Sequence, residues 1–187
     1  MKALVLYKST AGHTKRYAEM IGELISADCV PVDRFDFSLA GNYDLIIFGG
    51  NLHAVGINGY KIFKQHLSQM ANKHIIIYAV GATPNKEGVV EEIKDKNLLS
   101  EYEKKFPLFY LRGGFDFARL PLKEKVLMSL LKIMLLLKRN KSEDEREMLA
   151  SYKHPLDTVK RENLHELVSY IEHYDLSSNV EVIQESS

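Results

Sequence analysis

The stretch ALVLYKSTAGHTKRYAEMIGELI, residues 3–25, decides the fold. Its first five residues form an uninterrupted apolar run, which is typical of a strand buried on both faces of a parallel sheet. From Thr14 to Ser26 the apolar residues recur at intervals of three and four, which predicts a helix with one buried face. A strand that runs through a short loop into a helix is the first half of a βαβ unit.

The rest of the chain repeats this alternation. Further strands are predicted at Cys29–Val32, Asp44–Gly49, His74–Val80 and Leu108–Arg112, and further helices at Ile57–Met70, Val89–Leu99 and Arg161–Tyr174. Strands separated by helices predict a parallel sheet with helices on both faces. We therefore expect a single α/β domain over residues 1–176 and a frayed polar tail over residues 177–187.

Length and composition narrow the class of protein. The 187 residues, 45% hydrophobic and 27% charged, have the composition of a soluble globular protein. Because 25 Lys and Arg balance 25 Asp and Glu, the net charge favours neither nucleic acid nor an acidic partner. The single Cys29 excludes an internal disulfide, and the seven histidines lack metal-ligand spacing, so we expect no metal. The sequence shows no signal peptide or apolar span, which predicts a cytoplasmic location.

The loop S9-T-A-G-H-T14 after the first strand predicts a phosphate site. Backbone N–H groups at a helix N-terminus lack intrahelical partners, and the helix dipole makes this end positive. Gly12 lets an anion approach the backbone, and three hydroxyls can donate to it. Without the lysine of a Walker loop, the pattern suits a monophosphate. The alternative is that Ser or Thr merely caps the helix, but the position at the carboxyl end of the first strand favours a ligand.

These residues resemble the FMN phosphate loop of flavodoxin-like proteins. The resemblance implies a three-layer, doubly wound sheet of five parallel strands in the order 2-1-3-4-5. Within that group the chain is most similar to the flavodoxin-type, menaquinone-dependent protoporphyrinogen oxidases. The narrower resemblance rests on Gly-Gly-Asn-Leu-His at 49–53, on Gly-Gly-Phe-Asp-Phe at 113–117, and on an apolar-basic helix inserted after strand five. The chain departs from the shorter flavodoxins because it is neutral rather than acidic and has no Trp.

The resemblance also implies which residues bind the cofactor, FMN. The phosphate would contact Ser9, Thr10, Ala11, Gly12, His13 and Thr14, and the ring would contact the next two loops at Asn51, Leu52, His53, Ala54, Val55, Gly81, Ala82 and Thr83. The catalytic residue stays unknown. His53 is the candidate, as a ring contact or a proton donor, and the alternative is an ordinary histidine on a surface loop.

The segment Leu120–Lys141 is an addition to the strands and helices that a minimal domain of this kind needs. Residues 112–141 carry eight Lys or Arg against two acids, a net charge of +6, around the apolar run Val126–Leu137. Three interpretations stay open: a helix buried against the sheet, an interfacial helix on the inner face of a membrane, or a contact in a homodimer.

The expected function is that of an FMN-dependent oxidoreductase resembling protoporphyrinogen dehydrogenase. It would pass electrons from a reduced small-molecule donor, such as a porphyrinogen, to a quinone. Arg112, Arg119 and Lys123 are candidates for binding the donor's propionates. The alternatives are a non-enzymatic electron carrier that docks protein redox partners and a flavodoxin-fold interaction module without flavin.

Overall fold

The structure, a computed structural model, describes residues 1–53, 56–120 and 122–174, apart from the side chains of Arg119 and Lys123. The strands are β1 (Ala3–Lys8), β2 (Asp28–Pro31), β3 (Leu45–His53), β4 (Gly56–Ile57), β5 (His74–Gly81), β6 (Leu108–Arg112), β7 (Gly114–Phe115) and β8 (Leu156–Asp157). The helices are α1 (His13–Ile25), α2 (Tyr60–Lys64), α3 (Val89–Asn97), α4 (Leu122–Leu137), α5 (Glu143–Ser151) and α6 (165–174). The expected tail, 177–187, lies outside the described residues.

The central sheet has the order β2-β1-β3-β5-β6 with all neighbouring pairs parallel. This confirms the predicted order 2-1-3-4-5 and the doubly wound, flavodoxin-like α/β fold. Leu4 and Leu6 face one apolar layer, and Val5 faces the other, where it packs with Tyr17 of α1. Because successive side chains of a strand alternate between faces, both layers need apolar residues, which explains the uninterrupted run in β1.

The prediction of one helix over Ile57–Met70 is wrong in two ways: the helix begins later, and it is interrupted. Ile57 belongs to β4, which folds back antiparallel on the end of β3, and α2 is followed by a short 3₁₀ helix at Leu67–Met70. Gly59 lies before α2 with φ of 79°, and a Cβ there would approach the Lys8 side chain to 2.7 Å. The apolar spacing identified the buried face correctly, but spacing cannot show where a hairpin takes over the first residues.

The chain after β6 forms a second layer of structure beside the sheet. β7 pairs antiparallel with β8, and α4 and α5 lie between them in sequence. Ser142 and Glu145 form a reciprocal capping box at the start of α5, an element that the sequence analysis missed. The interpretation of 126–137 as a helix buried nearly all round is wrong, because most of its large apolar side chains are exposed. In the described ranges no helix is long and apolar enough to cross a bilayer.

A buried carboxylate, Glu103, joins α2 to the loop before β6. Its side chain is 1% exposed and accepts hydrogen bonds from Tyr60 Oη and Lys64 Nζ, both at 2.8 Å, and from Ser100 Oγ at 2.6 Å. Burial opposes ionisation of Glu103, but these donors outweigh it and lower its pKa to about 2. Glu103 is therefore ionised in the folded protein at neutral pH.

We expect the free energy of unfolding to fall as the pH drops from about 4.5 towards 2. A carboxyl with a depressed folded-state pKa stabilises the fold above its unfolded-state pKa, and that stability is lost as it is protonated. In Glu103→Gln this acid dependence should weaken, and stability at neutral pH should fall by about 1–2 kcal/mol, because charge-assisted hydrogen bonds become neutral ones. Urea unfolding across this pH range measures both effects. If the free energy of unfolding of Glu103→Gln fell with decreasing pH as steeply as that of the wild type, Glu103 would not be the group responsible.

Candidate functional site

The loop after β1 and the carboxyl ends of β3 and β5 line one cavity of about 370 Å³ at the carboxyl edge of the sheet. In open α/β sheets this edge is where ligands bind. Its lining includes predicted site residues from all three segments: Ser9, Thr10, Ala11, His13, Thr14, Asn51, Leu52, His53, Gly81 and Ala82. Asn51, Leu52 and His53, which were expected in a loop, are the last three residues of β3, because the strand continues into its pairing with β4. The structure therefore brings the separately predicted segments together around a space of the size that small ligands occupy.

The start of α1 forms the polar end of this cavity. Gly12 precedes the helix with φ of 96°, and its N–H donates to Ser9 Oγ at 3.1 Å. Apart from Gly12 and its two chain neighbours, no heavy atom of the described chain lies within 4 Å of where a Cβ of Gly12 would stand. The N-cap residue of α1 is Gly12, which has no side chain to cap the helix, and the Ser9 hydroxyl pairs with the backbone just before it. Ser9 therefore orders the turn, while the space at Gly12 stays open to an anion.

Thr14 is fully buried, and its Oγ1 has no hydrogen-bond partner among the described residues. A buried hydroxyl without a partner costs about 1–3 kcal/mol relative to a paired one, so such groups are uncommon in folded proteins. Thr14 also lines the cavity, beside the N–H groups of the first helical turn. This combination fits an anionic group held at the end of α1.

Asn51 connects the first two loops. Its Oδ1 accepts from the backbone N–H and the hydroxyl of Thr10, both at 3.2 Å, and from Asn58 Nδ2 at 3.1 Å. Asn58 Nδ2 also donates to Thr10 Oγ1 at 3.2 Å. Asn51 therefore fixes the position of the loop after β1, in addition to lining the cavity. Asn58 follows β4, and the sequence carries no signal that would have marked it.

His53 connects the end of β3 to α4. Its Nε2 lies 3.2 Å from Asn51 Nδ2, and its Nδ1 lies 3.4 Å from Glu124 Oε1. Because an amide nitrogen only donates, Nε2 accepts and the proton of the neutral ring sits on Nδ1, facing the carboxylate. His53 thus contacts both Asn51 and α4 at the end of β3, while its side chain stays 41% exposed.

The third loop has a packing role as well as a lining role. A Cβ on Gly81 would approach Tyr110 Oη to 2.4 Å, so the glycine leaves room for the tyrosine below the loop. Tyr110 Oη donates to the carbonyl of Thr83 at 2.7 Å. Thr83 lines a smaller neighbouring cavity of about 180 Å³ and not the main one. Ala54 and Val55 lie outside the described residues.

The apolar end of the cavity comes from segments that the sequence analysis did not assign to the site. Phe115 of β7, Leu127 and Met128 of α4, Met148 of α5 and Leu120 before α4 line it. The only sequence signal was the excess of apolar residues in 126–137, and nothing there indicated which side chains turn inward. The cavity therefore has a hydroxyl-rich end and an apolar end.

Arg112, a candidate for binding carboxylates of a substrate, is already engaged. Its guanidinium pairs with Glu147 at 2.7 Å and contacts the carbonyl of Ala82 at 3.4 Å. The side chains of Arg119 and Lys123, the other two candidates, lie outside those the structure describes. Of the described lining residues, only His13 and His53 can carry a positive charge. The arrangement favours a ligand with one anionic end and an apolar body.

Comparison with known proteins agrees with this architecture. The sequence model described as "Flavodoxin domain" matches residues 4–144. An uncharacterized protein of Methanocaldococcus jannaschii is 31% identical over 129 residues, which are 62% of this chain and 85% of that protein. A WrbA-like flavodoxin of Agrobacterium tumefaciens is 21% identical, with a TM-score of 0.46 over 58% of this chain and 82% of its own. The Trp repressor binding protein of Bacillus subtilis is 19% identical, with a TM-score of 0.45 over 75% of this chain and 100% of its own. Because the family model matches residues 4–144, well over half of this chain, the chain belongs to the flavodoxin domain family.

Proposed function

We propose that this protein is an FMN-dependent oxidoreductase whose electron acceptor is a lipophilic quinone. The observation that carries the proposal is a cavity lined at one end by Thr14, whose buried hydroxyl has no partner among the described residues, and at the other by apolar side chains of α4 and α5. Membership of the flavodoxin domain family supports FMN as the ligand at the hydroxyl-rich end. The apolar chamber supports a substrate that approaches the flavin from an apolar environment.

The residues at the hydroxyl-rich end fit the phosphate. Thr14 Oγ1, the first N–H groups of α1 and the open space at Gly12 would receive it, with Thr10 held in place by Asn51. Neutral donors at a helix N-terminus suit a phosphate dianion without a counter-cation. Leu52 and Ala82, from the other two loops, would flank the ring.

When bound, FMN would supply reversible transfer of two electrons: in each turnover the donor would lose two electrons and two protons, and one quinone would take them up to become a quinol. A porphyrinogen would need three such turnovers, and three quinones, to become a porphyrin. The chain's own part is to exclude water and to position the reactants. Leu120, Leu127 and Met148 line the apolar end of the cavity and would lie next to the ring. His53, with a proton on Nδ1 and a carboxylate beside it, is placed to hold a proton at the cavity wall.

A porphyrinogen is the donor that the sequence resemblance favours. Its propionates would need cationic partners, and Arg112 is already paired with Glu147. They would therefore have to be received at the mouth of the cavity rather than inside it.

An anaerobic assay with FMN-loaded protein, protoporphyrinogen and menaquinone tests the proposal. We expect porphyrin to form at a rate that depends on both FMN and quinone. Loaded protein that exchanges electrons with a flavodoxin reductase but leaves porphyrinogen and quinone unchanged would favour the electron carrier. Protein that takes up no FMN at saturating concentration would favour the interaction module and overturn the proposal.

A further inference from the structure

The outer face of α4 is a large exposed apolar surface. Eight of its side chains are each more than half exposed: Leu122, Val126, Leu127, Leu130, Ile133, Met134, Leu136 and Leu137. At 100° per residue they occupy one arc of roughly half the helix circumference. Soluble monomers rarely expose contiguous apolar patches larger than a few hundred Å², and larger ones mark contact surfaces.

Between Val126 and Leu137, the described side chains leave this face free of unpaired polar groups. Ser129 lies within the arc, but its hydroxyl donates to the carbonyl of Lys125 at 2.7 Å and so is already paired. The inward side of the helix is different in character, since Leu135 is buried and Met128 lines the cavity. The helix thus has two apolar sides, one packed against the protein and one facing outwards.

Cationic side chains border the outward face. In the same projection Lys125 and Lys132 lie together along one edge of the arc, and Arg139 follows at the exposed end of the helix. The Lys132 ammonium lies 5.1 Å from the centre of the Tyr152 ring, so its stem runs along the protein surface. Lys138 is paired with Glu145 at 2.6 Å and adds less to the positive edge.

We propose that α4 docks on an anionic membrane surface, with its outward apolar face in the acyl boundary and its lysines at the headgroups. An apolar face edged by lysines is the arrangement of helices that lie in a membrane interface. An antiparallel two-fold pair of chains would instead place the Lys125 and Lys132 edges of both copies side by side, where they repel. Charge complementarity therefore favours the bilayer over a second copy.

Docking in this way would turn the mouth of the cavity towards the lipid, because Leu127 belongs to both surfaces. The docking itself does not depend on flavin or on turnover. The idea that a lipophilic acceptor enters from the bilayer rests on the proposed function.

The chain contains no Trp, which allows a single fluorescent reporter to be placed on the face. Leu130→Trp should show a blue-shifted emission when phosphatidylglycerol vesicles are added, with a smaller shift on phosphatidylcholine vesicles and at high salt. The matched control is Leu99→Trp, at a site that is 65% exposed and far along the chain from α4, and its emission should not change. No shift in Leu130→Trp, or equal shifts in both proteins, would overturn the proposal.

Co-sedimentation of the full-length, FMN-loaded chain with the same vesicles gives the second test. The double variant Leu130→Glu, Ile133→Glu should bind at least tenfold more weakly than the wild type, while Leu99→Glu binds equally well. Thermal unfolding and FMN content show that the variants are folded, since the changed side chains are exposed and lie outside the cavity lining. A wild-type chain that forms a stable dimer through this face and does not sediment with vesicles would overturn docking in favour of self-association, without bearing on FMN binding.

Discussion

A Gly12→Asp variant is expected to purify without FMN while keeping its fold. A Cβ at Gly12 would meet no atom within 4 Å beyond its chain neighbours, and although φ of 96° strains any side chain, Asp tolerates a positive φ better than most residues. Its carboxylate would stand at the end of α1 where the phosphate is proposed to bind. Two like charges 4 Å apart repel by about 4 kcal/mol at an effective dielectric constant of 20, which corresponds to roughly a thousandfold loss of affinity.

The measurement is the flavin absorbance of the purified protein together with its far-ultraviolet circular dichroism. Gly12→Asn is the matched control, because it has the same shape and the same backbone strain without the charge. We expect the Asn variant to retain most of its FMN. Stoichiometric FMN in the Asp variant would mean that the phosphate does not bind at this loop.

Thr14→Val is expected to weaken FMN binding by roughly 10- to 100-fold without destabilising the apoprotein. Valine has the shape of threonine, so the packing of this fully buried residue is kept. The variant removes a hydroxyl that has no partner in the described structure, and this should leave the apoprotein equally stable or about 1 kcal/mol more stable. A hydrogen bond to a charged phosphate contributes about 1.5–3 kcal/mol, which sets the expected loss of affinity.

Isothermal titration with FMN and urea unfolding of the apoprotein separate the two effects. Thr14→Ser provides the control because it keeps the hydroxyl and loses only the methyl group, so its affinity should hold while its stability falls by about 1 kcal/mol. If Thr14→Val bound FMN as tightly as the wild type, the unpaired hydroxyl would have no role in the site.

The sheet could be predicted from the sequence because its strands carry their own signal. The strand Leu108–Arg112 was predicted with its observed bounds, and His74–Val80 falls one residue short of β5. A strand buried on both faces needs a continuous apolar run, and that requirement acts on consecutive residues. The same is true of the loop at Gly12, because an anion site at a helix N-terminus is built from one short segment.

The errors lie where two segments pair with each other. The short strand β4 replaced the start of a predicted helix because Ile57 pairs with Leu52, a contact that helical spacing does not report. The pairing of β7 with β8 brings together residues about forty positions apart, and neither strand is long enough to show a pattern of its own. Periodicity is a property of one element, whereas pairing is a property of two.

The sequence alone determined the layered α/β fold and the hydroxyl-rich turn at the start of α1, since both follow from neighbouring residues and local backbone geometry. The tertiary structure decided the rest of the site: that Thr14 is buried with no hydrogen-bond partner for its hydroxyl among the described residues, that Asn51 and Asn58 hold Thr10, and that α4 presents one apolar side to the cavity and the other to the outside. Burial and partnership depend on which distant segments pack against a residue, and no stretch of sequence contains that information by itself.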